Sequence, residues 1–185
     1  MDVILTQGKK TSAFSARFGM RNLSTSGSVL MNNGDRIYLR GTLECCIFPL
    51  TGTPPTDKEG WNKVFSVAKA YGLNHLRFHS WCPPQAAFEV ADDMGFYLQV
   101  ELPLWSLTVG KDTTTNRFLY EEADRILKEY GNHPSFCLMS VGNELQPDFD
   151  FLNSLRSYMK SKDNRHLYTT TTFTFEKGHG DWPET

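Results

Sequence analysis

The spacing of apolar residues changes along the chain near Tyr38. Before that point the apolar runs are short and fall at residues 14–21, 29–31 and 36–39. Residues 32–35 (Asn-Asn-Gly-Asp) form a hairpin turn signal, because Asn and Gly accept a positive φ. After Tyr38, short apolar runs alternate with longer amphipathic segments. The pattern predicts a β segment followed by alternating strands and helices.

Four segments have the apolar spacing of amphipathic helices. In residues 56–71 apolar side chains recur every three or four positions, and Thr56 and Glu59 fit a capping box at the start. Gly72 supplies the left-handed residue that commonly ends a helix. The other predicted helices span residues 84–94, 116–130 and 150–159, and glycines 95 and 131 end the first two of them.

The apolar runs between these helices predict strands at residues 37–44, 73–79, 96–101, 136–141 and 167–173. Strands that alternate with helices of this length indicate βαβ units and a parallel sheet. The sheet could be doubly wound or closed into a barrel. A strand in a doubly wound sheet is apolar on both faces.

Here one face of several predicted strands is polar, because alternate residues share a face. His75, Arg77 and His79 lie together, as do Gln99 and Glu101. The phosphate-binding G-x-G-x-x-G loop that often follows the first strand of a doubly wound fold does not occur. The sequence therefore favours a (β/α)₈ barrel.

In a barrel the active site lies at the carboxyl ends of the strands. Carboxylates and tryptophans recur at these positions, with Glu176 beyond the last, Thr-rich strand. The residues at these ends are Glu44, His79, Ser80, Trp81, Glu101, Trp105, Asn143 and Glu144. A cleft with acidic groups and aromatic rings is typical of sugar hydrolysis.

Composition excludes several other classes of function. The 185 residues are 39% hydrophobic and 22% charged, which are globular values, and the net charge of −2 comes without a basic stripe for nucleic acid. No apolar run is long enough for a membrane span, and the first residues lack the pattern of a signal peptide. The spacing of the four cysteines does not indicate a disulfide framework, so it does not identify the redox compartment.

Metal chemistry is not predicted. His75 and His79 share a strand face but lie ~13 Å apart along it, too far for one ion. His133 and His166 have no partner ligands at useful spacing. We therefore expect neither a metal nor a cofactor.

The most informative stretch runs from Asn132 to Glu144, where an apolar strand ends in Gly-Asn-Glu. This places a carboxyl group at the mouth of the barrel, with a small residue before it that allows close approach. The alternative from composition alone is that Asn143 and Glu144 cap the next helix.

The motif HPSFCLMSVGNE (residues 133–144) closely resembles the acid/base motif of glycoside hydrolase family 2, the β-galactosidase, β-glucuronidase and β-mannosidase family. IYLRGTLE (residues 37–44) resembles the first barrel strand of that family. LNHLRFHSWCPPQAAFEVADDMGFYLQVE (residues 73–101) resembles its second strand, second helix and third strand in order. The resemblance covers roughly residues 36–175 and favours a catalytic role for Glu144.

The resemblance implies a role for several residues. Glu144 resembles the general acid/base, and Asn143 resembles the residue that binds the sugar hydroxyl next to the anomeric carbon. Arg40 and Arg77 resemble interior arginines beneath the site, which would hold carboxylates ionised. Glu101 resembles a family acid at the end of the third strand.

Four further residues complete the predicted substrate site. Glu44 and His79 follow from their places at strand ends. Trp81 and Trp105 are predicted to contact sugar faces, with core packing as the alternative for each.

Two segments depart from the family pattern. Residues 43–46 are Leu-Glu-Cys-Cys, where common members carry Asn-Arg-His-Glu. Residues 79–83 are His-Ser-Trp-Cys-Pro, where the usual order is Ser-His-Tyr-Pro. Because both segments lie where substrate binds, we expect a specificity other than that of ordinary β-galactosidases.

The resemblance also implies that the chain is a fragment. In the family the nucleophile is a Glu at the end of the seventh strand, and this chain reaches only the fifth. Residues 1–35 are predicted to be the end of a preceding immunoglobulin-like domain with a hairpin, and residues 36–185 the first part of the barrel.

Five strands cannot close a barrel and would expose unpaired edges, so we expect the isolated chain to be inactive and prone to aggregate. The parent protein would act on a carbohydrate, in the periplasm or outside a bacterial cell. The alternative function is a non-catalytic carbohydrate-binding or scaffolding module. The sequence does not predict an oligomeric state.

Overall fold

The computed structural model describes residues 1–146 and 148–171. Its first elements are two small antiparallel units. β1 (Asp2–Gln7) pairs with β2 (Lys10–Ser15), and β3 (Leu23–Ser26), β4 (Val29–Asn32) and β5 (Asp35–Arg36) form a three-stranded sheet. The predicted hairpin turn is confirmed, with positive φ at Asn33 and Gly34. The strand predicted at residues 14–21 is wrong, because β2 already ends at Ser15 and β1, which precedes it, takes up the pairing.

Five parallel strands form the main sheet. They are β6 (Gly41–Glu44), β7 (His75–Phe78), β8 (Tyr97–Glu101), β9 (Phe136–Ser140) and β10 (Leu167–Thr169), adjacent in the order of the sequence. The strand order of a doubly wound sheet would reverse at a switch point. The described order has no reversal, which makes this α/β fold consistent with part of a (β/α)₈ barrel.

A helix connects each strand of this sheet to the next. The helices are α1 (Lys58–Ala70), α2 (Gln85–Met94), α3 (Thr113–Tyr130) and α4 (Phe149–Lys162). All four predicted helices are confirmed, but their starts depend on caps. Asp57, rather than Thr56, caps α1 by accepting the Gly60 N–H at 2.8 Å. Asp112 likewise caps α3, which therefore begins three residues before the predicted start.

The hydrophobic core lies between the helices and one face of the sheet. Phe78 and Leu98 of the sheet and Trp61 and Phe88 of the helices are fully buried there. The other face carries the polar alternation that the sequence predicted, with Arg77 of β7 directly opposite Gln99 of β8. The core thus fixes which side chains point away from the helices.

The last predicted strand is only partly described. β10 ends at Thr169, and residues 172 and 173 of the predicted strand, together with Glu176, lie outside the described residues. Among the residues that the structure covers, no helix combines the length and the hydrophobicity needed to cross a bilayer.

Candidate active site

Polar side chains from β7 and β8 meet on the face of the sheet away from the helices. The Arg77 Nε donates to Glu101 Oε1 at 2.7 Å, and Arg77 Nη2 donates to Glu101 Oε2 at 3.4 Å. The two residues are diagonal neighbours on adjacent strands, since Arg77 is opposite Gln99. The result is a two-point contact between guanidinium and carboxylate, the geometry that orients both groups best.

Glu101 accepts two further hydrogen bonds. Ser80 Oγ donates to its Oε2 at 2.5 Å, and Gln99 Nε2 donates to its Oε1 at 3.0 Å. The side chain is 0% exposed, a burial that is tolerated because the charge is paired and hydrogen-bonded. The carboxylate is thus enclosed by protein donors, and the predicted substrate contact of Glu101 stays a prediction.

The same arginine reaches Asn143 beyond the end of β9. Arg77 Nη2 donates to Asn143 Oδ1 at 2.5 Å, and the Asn143 backbone N–H donates to the Leu104 carbonyl at 3.1 Å. Asn143 is 3% exposed, and its Nδ2 has no acceptor among the described residues. A buried donor without a partner is uncommon and marks a place where a ligand can bind.

Glu144 lies in a loop that neighbouring segments hold on both sides. The Leu145 N–H donates to Thr171 Oγ1 at 3.1 Å, and the Gln146 N–H donates to the Ser106 carbonyl at 3.2 Å. Glu144 itself is exposed and adopts a φ of 50°, which is uncommon for a residue with a side chain. The backbone is held in a strained conformation that leaves the carboxyl group accessible.

Gly142 allows this loop to approach the loop after β8. A Cβ atom at position 142 would lie 2.2 Å from the Leu104 carbonyl oxygen, so a larger residue could enter only if the backbone moved. The Gly-Asn-Glu sequence thus combines close approach, a buried amide and an exposed carboxyl group.

A cavity of about 430 Å³ lies at the carboxyl ends of β6, β7 and β8, and one of its lining residues is Leu104, which also contacts Gly142 and Asn143. Its walls include His79, whose ring meets Trp105 edge to face with centroids 5.6 Å apart. Trp105 is 66% exposed, so its ring is available to a ligand. The rest of the wall comes from Cys45, Ser80, Pro103 and Leu104. The predicted sugar contacts of His79 and Trp105 remain predictions that this placement allows.

Trp81 occupies a different environment from Trp105. Its ring packs edge to face on Phe78 at 5.4 Å and also contacts Trp61, both of which are core residues. Its Nε1 donates to the Glu44 carbonyl at 3.1 Å. Of the two alternatives for Trp81, the structure favours core packing.

Glu44 lies at the carboxyl end of β6, as predicted from its position. Its carboxylate accepts the Cys46 N–H at 3.1 Å. Burial raises the pKa of the Glu44 carboxyl, and the hydrogen bonds from the Cys46 amide and from Trp81 oppose that rise. The predicted contact of Glu44 with substrate stays a prediction.

Arg40 lies at the opposite end of the sheet. It precedes β6, and its Nε donates to the Gly72 carbonyl at 2.9 Å, just after α1. β6 begins at Gly41, so Arg40 lies just outside the strand, and its predicted place beneath the active site stays a prediction. Arg77 lies on β7, on the polar face of the sheet.

Ser80 and Gln99 belong to the polar network but were not among the predicted site residues. The sequence places Gln99 on the same strand face as Glu101, and it places Ser80 at a strand end beside His79. Neither position by itself indicates a hydrogen bond to Glu101. Across the described residues, no group of three or more His, Cys, Asp or Glu side chains is placed to hold a metal ion.

No family model matches the chain. A protein of Formosa agariphila named "Putative beta-glucuronidase" is 28% identical over 123 residues, which is 64% of this chain and 14% of the relative. The chain therefore spans a small part of the curated relative that it matches.

Solved structures of β-glucuronidases share the fold. The enzyme of Parabacteroides merdae matches with a TM-score of 0.77 at 18% identity, over 90% of this chain and 22% of its own length. The β-D-glucuronidase of Dictyoglomus thermophilum matches with a TM-score of 0.79 at 20% identity, over 90% of this chain and 31% of its own length. The chain thus has the fold of one segment of much longer proteins, and those proteins are named β-glucuronidases.

Proposed function

We propose that this chain is part of a retaining glycoside hydrolase related to glycoside hydrolase family 2, with Glu144 as the general acid/base. The observation that carries the proposal is the placement of Asn143 and Glu144 at the carboxyl end of β9. Arg77 holds the amide of Asn143 there, and Leu104 holds its backbone. The names of the structural relatives support the same class of enzyme.

The exposed carboxyl group of Glu144 suits proton transfer to a glycosidic oxygen. It would protonate the leaving oxygen in the first step and remove a proton from water in the second. A retaining mechanism also needs a nucleophilic carboxylate about 5–5.5 Å away. Glu101 is enclosed by donors, so we place the nucleophile in a part of the protein outside this chain.

The substrate in this proposal is a carbohydrate, bound between the loops after β7, β8 and β9. The Nδ2 of Asn143 would donate to the sugar hydroxyl next to the anomeric carbon, because it has no acceptor within the described part of the chain. The exposed ring of Trp105, with His79 against it, would contact a sugar face. A β-glucuronide is the first glycone to test, given the names of the relatives.

The proposal is tested on the full-length protein that contains this chain. Wild type is assayed on a panel of aryl β-glycosides that includes the glucuronide, galactoside, glucoside and mannoside. Glu144→Ala is expected to lower kcat/KM about 10²- to 10⁴-fold for substrates with poor leaving groups and far less for 2,4-dinitrophenyl glycosides. The 2,4-dinitrophenolate leaving group departs with little need for protonation. Glu129→Ala, an exposed change on α3, serves as the matched control.

Equal loss on both kinds of leaving group would remove Glu144 from the acid role. Sugar binding without hydrolysis of any panel member would instead favour the non-catalytic carbohydrate-binding module. That function needs the exposed Trp105 and makes no use of Glu144.

A further inference from the structure

We infer that Ser80 and Gln99 are positioning residues that act through Glu101 and Arg77 to fix the orientation of the Asn143 amide. The fixed amide presents its NH₂ edge, so the site accepts a ligand atom with a lone pair, such as a hydroxyl oxygen, beside Glu144. This inference rests on the proposed function, which already assigns the contact of Asn143 with a hydroxyl, and it adds two positioning residues.

The first step concerns the carboxylate of Glu101, because both of its oxygens accept hydrogen bonds. Oε1 accepts from Arg77 Nε at 2.7 Å and from Gln99 Nε2 at 3.0 Å. Oε2 accepts from Arg77 Nη2 at 3.4 Å and from Ser80 Oγ at 2.5 Å. Because both oxygens of this fully buried group accept hydrogen bonds from side chains of three residues, the carboxylate is held in one orientation.

The second step is the guanidinium of Arg77. Two of its nitrogens face the fixed carboxylate, so the plane of the guanidinium is set by a two-point contact. Nη2 carries two hydrogens, and the one that does not face Glu101 is directed to Asn143 Oδ1. Ser80 and Gln99 donate to Glu101, and through its carboxylate they determine where this hydrogen points.

The third step is the amide of Asn143. An arginine can only donate, so the atom that faces Arg77 must be the amide oxygen. The nitrogen then faces away, and it is the buried Nδ2 that lacks an acceptor among the described residues. If Arg77 turned away, the amide could rotate and offer an acceptor instead.

Ser80 is also placed to link this network to the ligand cavity. It lines the same cavity as His79 and Trp105, while its hydroxyl reaches the buried carboxylate behind them. The loop after β7 therefore contributes a ring to the cavity wall and a hydrogen bond to the network that orients Asn143.

The test uses the full-length protein with two substrates. These are the 4-nitrophenyl β-glycoside of the panel that wild type hydrolyses best, and its 2-deoxy analogue, which lacks the hydroxyl assigned to Asn143. Ser80→Ala and Gln99→Leu are expected to lower kcat/KM about tenfold on the parent glycoside, as for loss of a hydrogen bond to a charged group. They should change the 2-deoxy substrate by less than about twofold. Asn143→Ala should show the same selective loss, and Ser80→Ala should add little to it.

Three controls separate positioning from general damage. Ser80→Thr keeps the hydroxyl and should restore activity on the parent glycoside. Ser154→Ala removes an exposed serine hydroxyl on α4 and should leave both substrates unchanged. Thermal unfolding of each variant identifies any that fail to fold.

An equal loss on both substrates, or no loss on either, would overturn the inference. If wild type hydrolyses no panel member, the proposed function fails, and a crystal structure of the Ser80→Ala protein then decides the inference. A displaced Arg77 guanidinium or a rotated Asn143 amide would support it, and an unchanged Arg77–Asn143 contact would overturn it.

Discussion

The two ends of the parallel sheet each hold a cluster of charged side chains, and the clusters are built differently. At the carboxyl end, Arg77, Glu101 and Asn143 come from three different strands or the loops after them. At the amino end, Asp163 accepts from Arg165 Nε at 2.8 Å and from the Arg165 backbone N–H at 3.0 Å. His166 Nε2 lies 3.3 Å from the same carboxylate.

The contacts of Asp163 in the amino-end cluster are local in sequence, while Arg165 Nη1 also donates to Asn132 Oδ1 at 2.7 Å and His166 Nδ1 lies 2.6 Å from the Phe136 carbonyl oxygen. The cluster closes the turn between α4 and β10, and Tyr168 adds a hydrogen bond from its hydroxyl to the Asp163 carbonyl. The carboxyl-end cluster is assembled over a long stretch of chain and leaves a buried amide nitrogen for which residues 1–146 and 148–171 supply no acceptor. A cluster centred on local contacts is a means to stabilise the fold, and an incomplete long-range cluster is typical of a binding site.

The largest effect is expected from Gly142→Ala, which would displace the Asn143–Glu144 loop at the carboxyl end of the sheet. The new Cβ would meet the Leu104 carbonyl at 2.2 Å, and displacement of the Asn143–Glu144 loop by about 1 Å would lower kcat/KM about a hundredfold. Gly131→Ala is the matched control, since its Cβ would meet the Leu127 carbonyl at 2.4 Å near the amino end. It should lower the melting temperature and leave kcat/KM near the wild-type value. Equal loss of activity in both variants would contradict the contrast between the two ends.

Asp163→Asn should affect stability and leave activity unchanged. Burial would raise the pKa of Asp163, but hydrogen bonds from Arg165 and His166 outweigh it and hold the pKa well below its usual range. Loss of the charged acceptor should lower the free energy of unfolding by about 1–3 kcal/mol. Denaturant unfolding at pH 7 measures this, with kcat/KM at 25 °C as the second readout. A variant as stable as wild type would remove the cluster from its structural role.

His166 should make the fold less stable in mild acid. Burial lowers the pKa of His166 and the nearby Arg21 acts in the same direction, while Asp163 and the Phe136 carbonyl oppose the shift. The unfolded chain then binds a proton near pH 6.5 that the folded chain resists. Stability contributed by the neutral ring is therefore complete above about pH 6.5 and is lost as the pH falls toward the folded pKa.

The measurement is the melting temperature between pH 8 and pH 5 for wild type and His166→Gln. The decline with acid should be shallower in the variant. It should not vanish, because burial also lowers the pKa of His75. Parallel curves for the two proteins would rule out His166 as a source of the decline.

The smallest effect is expected from Arg40→Ala. Arg40 is exposed and donates one side-chain hydrogen bond, to the Gly72 carbonyl. We expect a loss of stability below about 1 kcal/mol, as for a hydrogen bond at the surface, and no change in kcat/KM. Unfolding and activity assays on the same preparation check both. A large loss of activity would instead support the role that the family resemblance implied for Arg40.

The alternation of apolar runs and amphipathic segments was sufficient to predict the helices and the parallel sheet. It also placed Glu101, Asn143 and Glu144 at strand ends, because strand direction in βαβ units follows from the order of elements. The environment of each side chain was harder to predict. Trp81 and Trp105 both follow strands, and only the packing of Phe78 against one of them separates a core residue from an exposed ring.

Other differences from the predictions had equally local causes. Arg40 falls outside β6 because the strand begins at Gly41, four residues after the predicted start at residue 37. The role of Ser80 was not predicted, because its hydrogen bond to Glu101 of β8 leaves no periodic pattern in the sequence.

The contact of Leu104 with the Gly142–Asn143 segment is made by a backbone carbonyl. Any apolar residue that fills the same buried space could supply that oxygen, so position 104 can vary among related chains without harm. Its partner at 142 cannot gain even a methyl group. A search for paired changes between sequences would therefore find no coupling between these two positions, although they touch. The constraint would be visible only at position 142, where related sequences would retain glycine.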